Sequence, residues 1–323
     1  MELTPRKRLE LYAGRSHPDL ARAVAESLGV ALGNAQPREH ADSEFHCQLG
    51  ASVRGADVFV FQAHARRVND SIMEQCILID AAKRASARRI TAVCPYFGYS
   101  RQDRKASGRE PITAKLVSDL LAAAGADRIM SVDLHSSQIQ GFFDGPVDHL
   151  TAMPVLVDYL RRDLVSDPVV VAPDAGRIKV AERFSQHLGA DLAFVYKRRP
   201  KGVPGRVEAL EVVGSVAGRA CVIIDDMIDT AGTVCAAADL LFHRGASEVW
   251  AMATHGVLSG PATERLGSSK LSKVVITDTL PLQAERHFDK LEVLSVAGIV
   301  ADAIRAVFED SSVSEIFGGD NQT

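Results

Sequence analysis

The chain has 323 residues, 46% of them hydrophobic and 24% charged, with a formal net charge of −4. That length and balance fit a globular protein able to bury two cores, and the slightly acidic total excludes attachment to nucleic acid through net basic charge. No apolar run approaches a membrane span, and the opening MELTPRKRLELYAG lacks the apolar core of a signal peptide, so neither a nucleic-acid nor a membrane partner is expected.

Short apolar runs alternate with longer amphipathic ones. In chain order the spacing predicts strands at Asp57–Gln62, Ile90–Cys94, Ile129–Val132, Val169–Ala172, Leu192–Tyr196, Cys221–Ile224, Val249–Ala253 and Val274–Thr277. Helices are expected at Asp70–Ala85, Thr113–Ala124, Ile178–Leu188 and Thr233–Arg244. This rhythm predicts an α/β protein of mostly parallel sheets flanked by crossover helices, with ligands at the carboxyl ends of the strands. TAKLVSDLLAAAGADRIMSVDLH (from Thr113) aligns without a gap on TVCAAADLLFHRGASEVWAMATH (from Thr233), matching at the Thr, Asp-Leu-Leu, Gly-Ala and His positions. The match predicts two duplicated halves, divided as residues 1–155 and 156–323.

Cys47, Cys76, Cys94, Cys221 and Cys235 show no CxxC pair and no metal-ligand spacing. Four of them stand among apolar or small residues and are expected as buried free thiols, which points to a reducing, cytoplasmic setting. Neither a Walker A string nor a GxGxxG after a strand occurs, so a nucleotide role must rest on other residues.

CVIIDDMIDTAGT, Cys221 to Thr233, is the most informative string. An apolar strand is expected to stop at Ile224, before Asp225 and Asp226. Thr230-Ala231-Gly232-Thr233 then opens a helix, where free backbone N–H groups and the helix dipole favour an anion. The acids would repel that anion, so they suit sugar hydroxyls or a cation nearby; a sugar phosphate satisfies both halves. In SVDLHSSQ, strand alternation would turn Asp133 and His135 to one side, and the two could hold a divalent cation, Mg²⁺ above all. A lone histidine at a strand end is otherwise a structural residue. Arg101 offers a planar fork for phosphate oxygens and Gln102 can bond a base or ribose, although a solvated basic loop is the default alternative. KRRPKGVPGR (Lys197–Arg206) is a basic loop beside this chemistry and reads as a closing lid.

CVIIDDMIDTAGT resembles the phosphoribosyl-diphosphate motif shared by type I phosphoribosyltransferases and ribose-phosphate pyrophosphokinases. PYFGYSRQDRK, REPITAKLV and VDLHSSQIQGFFDGPVDHL resemble the pyrophosphokinases alone; VAPDAG, YKRRP and the tail's SVSEIF resemble them too, in their phosphate-activated class, and the match runs from about Leu9 to about Phe317. The resemblance implies two duplicated type I phosphoribosyltransferase-like domains: an N-terminal one contributing to the ATP site and a C-terminal one with the ribose 5-phosphate site and the basic loop. It implies transfer of the diphosphoryl group of ATP to the anomeric hydroxyl of ribose 5-phosphate by a homo-oligomer, a hexamer in the family. It gives catalysis to Lys197 and Arg199, and ATP binding to His40, Asp42, Glu44, Arg101 and Gln102. Ribose 5-phosphate falls to Asp225, Asp226, Asp229, Thr230, Ala231, Gly232 and Thr233, and Mg²⁺ to His135 and Asp174, with Asp133 beside them. Asp144 and Asp148 belong to the same signature.

Two departures stand out. The family's Phe-Ser-Asp-Gly-Glu adenine loop is HADSE here, with His40 for Phe and Ser43 for Gly; a neutral imidazole still stacks, with less area. After Asp174 the family has Gly-Gly and then an Arg, whereas this chain has Gly176-Arg177 and Val180. They leave two other readings open: a catalytically weak paralogue that regulates an active subunit, and a phosphoribosyltransferase, which leaves PYFGYSRQDRK and VDLHSSQIQGFFD unexplained.

Overall fold

The computed structural model describes residues 7–65, 67–163, 167–198 and 209–319, with the backbone alone at 197, 198 and 209. The chain forms two compact units. The first comprises Met1–Thr151, Thr279–Pro281 and Val296–Thr323; the second comprises Ala152–Asp278 and Leu282–Ser295.

The first unit begins β1 (Leu9–Ala13), α1 (Pro18–Leu28), β2 (Leu32–Gly33), β3 (Arg38–Glu39), β4 (Phe45–His46), β5 (Asp57–Phe61), α2 (Val68–Arg84) and β6 (Arg89–Cys94). It continues with α3 (Thr113–Ala124), β7 (Arg128–Val132) and β8 (Val147–Leu150). Its sheet runs β2-β1-β5-β6-β7-β8, with every described pair parallel. The strands β3 and β4 form a separate antiparallel hairpin.

The second unit contains α4 (Met153–Asp163), β9 (Val169–Ala172), α5 (Ile178–Leu188), β10 (Asp191–Arg198), β11 (Ala209–Val213), β12 (Ala220–Ile228) and α6 (Gly232–His243). Then follow β13 (Glu248–Gly256), α7 (Ala262–Ser268), β14 (Lys273–Thr277) and β15 (Leu291–Leu294). The sheet order is β11-β10-β9-β12-β13-β14-β15; β11 pairs antiparallel and the other pairs are parallel. The chain closes on α8 (Ala297–Phe308) and the one-turn α9 (Val313–Ile316).

The inner strands are mostly apolar because parallel strands are covered on both faces. All of β5 (DVFVF) and β9 (VVVA) is buried. Helices show one apolar stripe instead: α3 buries Ala114, Val117, Ser118 and Leu121, the spacing of one helical face. The repeat is visible in three dimensions, since β6-α3-β7 and β12-α6-β13 place a helix between adjacent parallel strands. Gly125 and Gly245 coincide because both turns require positive φ (121° and 89°).

A continuous division at residue 155 is corrected by the C-terminal segment. The helix α8 packs on α1 and β8 in the first unit, burying Val300, Ala301, Ile304 and Val307. Just past α8, Asp310 accepts from Lys7 at 2.6 Å and from Arg89 at 2.7 Å; Arg89 also grips the buried Asp57. The SVSEIF segment docks too, with Val313 and Phe317 buried. The thiols follow the same packing: Cys94 and Cys221 are buried, while Cys47, Cys76 and Cys235 are only partly so, fewer buried than expected. Burial pushes Cys94 up to about 12, so it stays protonated.

Ile304 is fully buried. Ile304→Ala should destabilise the first unit by on the order of 2–5 kcal/mol, read as an earlier denaturant midpoint. An unchanged midpoint would show that α8 contributes nothing to that core.

Candidate functional site

The strand β12 is longer than its apolar run. β13 supplies pairing partners as far as Ile228↔Gly256, so the ladder carries the chain past Ile224 and through both acids. Asp225 and Asp226 therefore stand inside the strand, where their side chains are only 15% and 7% exposed. Their counter-charge comes from the segment after β9. Arg177 places Nε 3.2 Å from Asp225 Oδ1 and Nη2 2.7 Å from Asp226 Oδ1, and is itself 14% exposed. Asp225 Oδ1 also accepts from the Asp226 N–H at 2.9 Å. Burial first, and then neighbouring Asp226, pushes the Asp225 carboxyl well above the usual range, with the Arg177 charge opposing the rise.

Five residues downstream of Asp226, Ala231 turns the chain at φ 61° into α6. Its N-cap residue, Ala231, gives it no side-chain cap, and a helix start of this kind suits an anion at its first N–H groups. The positive φ falls on Ala231 and not on Gly232. A Cβ on Gly232 would meet only Arg265 Nη1 at 3.7 Å and Thr230 Oγ1 at 3.9 Å, so the glycine leaves open space above the loop. Arg265 of α7 donates from Nη1 to the Thr230 carbonyl at 3.0 Å. Sequence reading missed Arg265; nothing in GPATERLG marks it, because its proximity to the loop is tertiary. Asp229 ties the loop down through its carbonyl, which accepts from the Ser259 N–H at 2.9 Å.

In the first unit, β7 ends at Val132 and Asp133 takes φ 38°. Period-two alternation therefore does not extend to Asp133 and His135, and the sequence argument for a shared side is corrected. The turn is held by His149 of β8, whose Nε2 accepts from the Leu134 N–H at 3.0 Å. Asp148 is spent on a pair with Arg128 at 2.7 Å, and Asp144 is exposed. Asp174 is exposed after β9, its Oδ1 accepting from the Gly176 N–H at 2.8 Å. It belongs to the second unit, and Asp133 and His135 to the first. Among the described residues no group of three or more His, Cys, Asp or Glu forms a ready metal cage. The exposed Asp174 carboxylate is an oxygen donor of the kind that Mg²⁺ takes.

Arg101 and Gln102 are exposed beyond β6. The Gln102 Oε1 accepts from Thr113 Oγ1 at 2.6 Å, and its carbonyl from the Ala114 N–H at 3.2 Å, fixing the loop to the start of α3. Beneath PYFGY lies His64, fully buried: Nδ1 accepts from the Gly98 N–H at 2.9 Å and Nε2 faces Gln75 Oε1 at 2.8 Å. A Cβ on Gly98 would come within 2.9 Å of the His64 and Val68 side chains. His40, Asp42 and Glu44 are exposed at the tip between β3 and β4. Ser43 takes φ 71° there, the conformation that favours the family's glycine. Behind the tip lies a cavity of about 280 Å³, lined in part by Glu44, Phe45, Arg15 and Met73. Lys197 pairs with Leu210 between β10 and β11. Arg199 and the rest of the basic loop, which the sequence suggested as a lid, lie outside the described residues.

Burial lowers the His64 ring from 6.5 to about 4, despite its bond to Gln75. The unfolded chain thus takes up this proton before the folded one, and stability full above about pH 6.5 is lost as pH falls toward 4. His64→Asn should remove up to one proton from that slope, about 1.4 kcal/mol per pH unit, in denaturant titrations from pH 7 to 4.5; equal slopes would refute the assignment. Arg265→Ala should raise the KM for the ligand of the α6 turn severalfold and leave kcat within about threefold.

A family model for the N-terminal domain of ribose phosphate pyrophosphokinase matches residues 9–125, and one for the phosphoribosyl synthetase-associated domain matches residues 195–318. The ribose-phosphate pyrophosphokinase of Bifidobacterium longum is 57% identical over 321 residues, covering 98% of this chain and 94% of its own. That of Streptomyces avermitilis is 54% identical over 318 residues, 98% of each chain. The crystal structure of phosphoribosylpyrophosphate synthetase from Mycobacterium smegmatis superposes with a TM-score of 0.90 at 50% identity, covering 94% of this chain and 100% of that one. This chain belongs to the ribose-phosphate pyrophosphokinase family.

Proposed function

We infer that the chain transfers the diphosphoryl group of ATP to the anomeric hydroxyl of ribose 5-phosphate. The observation that carries this is identity above 50% with ribose-phosphate pyrophosphokinases over nearly the whole of both chains. The anomeric oxygen forms a bond to the β-phosphorus while the bond from that phosphorus to the α–β bridging oxygen breaks. AMP leaves with the bridging oxygen, and the hydroxyl proton passes to solvent. No side chain has to act as a general base; the task is positioning and charge stabilisation.

The start of α6, with Thr230 and Thr233, would receive the 5-phosphate, and Asp225 and Asp226 the ribose hydroxyls. Arg101, Gln102, Asp42 and Glu44 would contact ATP, with His40 stacking on the base. Lys197 and Arg199 would offset the charge that grows on the transferred group and on departing AMP. His135 with Asp133 in the first unit, and separately Asp174 in the second, would each offer Mg²⁺ a ligand, and Mg²⁺ when bound neutralises phosphate charge. We further propose a homo-oligomer of hexamer type in the cytoplasm, the five free thiols being compatible with a reducing compartment. Neither the regulatory nor the phosphoribosyltransferase reading is favoured over this one.

AMP release from ATP should require both ribose 5-phosphate and Mg²⁺, and EDTA should abolish it. Lys197→Ala should lower kcat by a factor on the order of 10² or more, the scale seen when a charge-stabilising group is lost. Sugar-independent release, or an unaffected variant, would refute the assignment. Sedimentation at working concentration tests the assembly, a monomer being the contrary result.

A further inference from the structure

Arg177 occupies an unusual place. Its guanidinium has left most of its water, a step that is unfavourable unless the charge is well paired. It spans two separate carboxylates, Nε to Asp225 and Nη2 to Asp226. The segment that carries it is fixed: Asp174 Oδ1 accepts from the Gly176 N–H, and the Asp174 carbonyl from the Arg177 N–H at 3.3 Å. One rigid, planar cation therefore sets the rotamers of both acids together.

The same two acids stand just upstream of a helix start that favours an anion. Uncompensated, two carboxylates there would repel the phosphate that the next turn attracts. We propose that Arg177 is a positioning and specificity-determining residue of the sugar-phosphate site: it orients Asp225 and Asp226 as acceptors for the ribose hydroxyls and offsets their charge toward the phosphate. This rests on the assignment of the β12–α6 segment to ribose 5-phosphate. Glycine at position 177, the residue of the family pattern, could supply neither effect, and Val180 carries no charge. The guanidinium that meets both acids is the one at 177.

The test is calorimetric titration of the full-length protein with ribose 5-phosphate and with 2-deoxyribose 5-phosphate, which lacks one hydroxyl. In Arg177→Ala, ribose 5-phosphate should bind about tenfold or more weakly, as expected for loss of a charged, buried partner. The preference for ribose over deoxyribose should fall toward one. Arg177→Lys keeps the charge and loses the planar fork, so its affinities should stay within a few-fold while the preference still falls; it decides the matter if the alanine variant does not fold. In turnover, Arg177→Ala should raise the KM for ribose 5-phosphate and leave kcat within about threefold. Tighter sugar-phosphate binding in the variant would make Arg177 a competitor of the sugar and overturn the proposal. Weaker binding with an unchanged ribose preference would reduce it to a structural clamp, and equally overturn it. The two readings fail separately: a wild-type chain that binds ribose 5-phosphate but releases no AMP defeats the proposed reaction and leaves the binding test of Arg177 intact.

Discussion

Parallel strands buried on both faces leave polar chemistry one outlet, and the arrangement of this protein follows from that constraint. The side chains of β5, β9 and the inner part of β12 are needed for the core, so charged groups emerge where the strands run out. Arg101 and Gln102 follow β6, Asp133 and His135 follow β7, Asp174 follows β9, and Lys197 lies near the end of β10. The β12 strand departs from this pattern. It continues past its apolar run because β13 is equally long, and so it draws two acids into a largely buried position. Burial of that kind demands a counter-charge, and Arg177 supplies it.

Loops at the strand ends are held by polar groups donated from neighbouring elements. His64 accepts from Gly98 under the PYFGY turn, His149 accepts from Leu134 under the Asp133 turn, and Arg265 donates to Thr230 at the α6 turn. Each satisfies a backbone group that the local fold leaves over. Both histidines accept through a ring nitrogen, which requires a neutral ring. These two buried imidazoles are therefore parts of the scaffold, although a histidine in a sequence more readily invites a metal or catalytic reading.

The chain's departures from the family pattern differ in physical character. Ser43 stands at positive φ, where a glycine would be relaxed, and the hairpin still closes through the Ser43 N–H bond to His40 and the Glu44 N–H bond to Asp42. Arg177 adds a side chain where the pattern has none, and its guanidinium meets two acids. The first change is local and conformational; the second is electrostatic and reaches the centre of the second unit's polar cluster.

Much of the fold was legible in the sequence. The apolar runs and one-sided stripes gave β9, α3 and α5 with the boundaries observed, because burial on two faces or on one leaves a direct trace in residue pattern. Short or edge elements such as β2, β8, β11 and β15 left none, since they bury too little to show a period. The helix start at the end of CVIIDDMIDTAGT was legible as well, since a small-residue turn after a strand is a local feature. Only the tertiary structure decided that the acids lie within the strand, that Asp133 leaves the extended line, and that the C-terminal helix joins the first unit. It alone brought Arg177 to Asp225 and Asp226 and Arg265 to Thr230, contacts across 48 and 35 residues of chain. Strand length depends on the neighbouring strand, and charge pairing depends on which segments the sheet order makes adjacent. Neither quantity is written in the residues that take part.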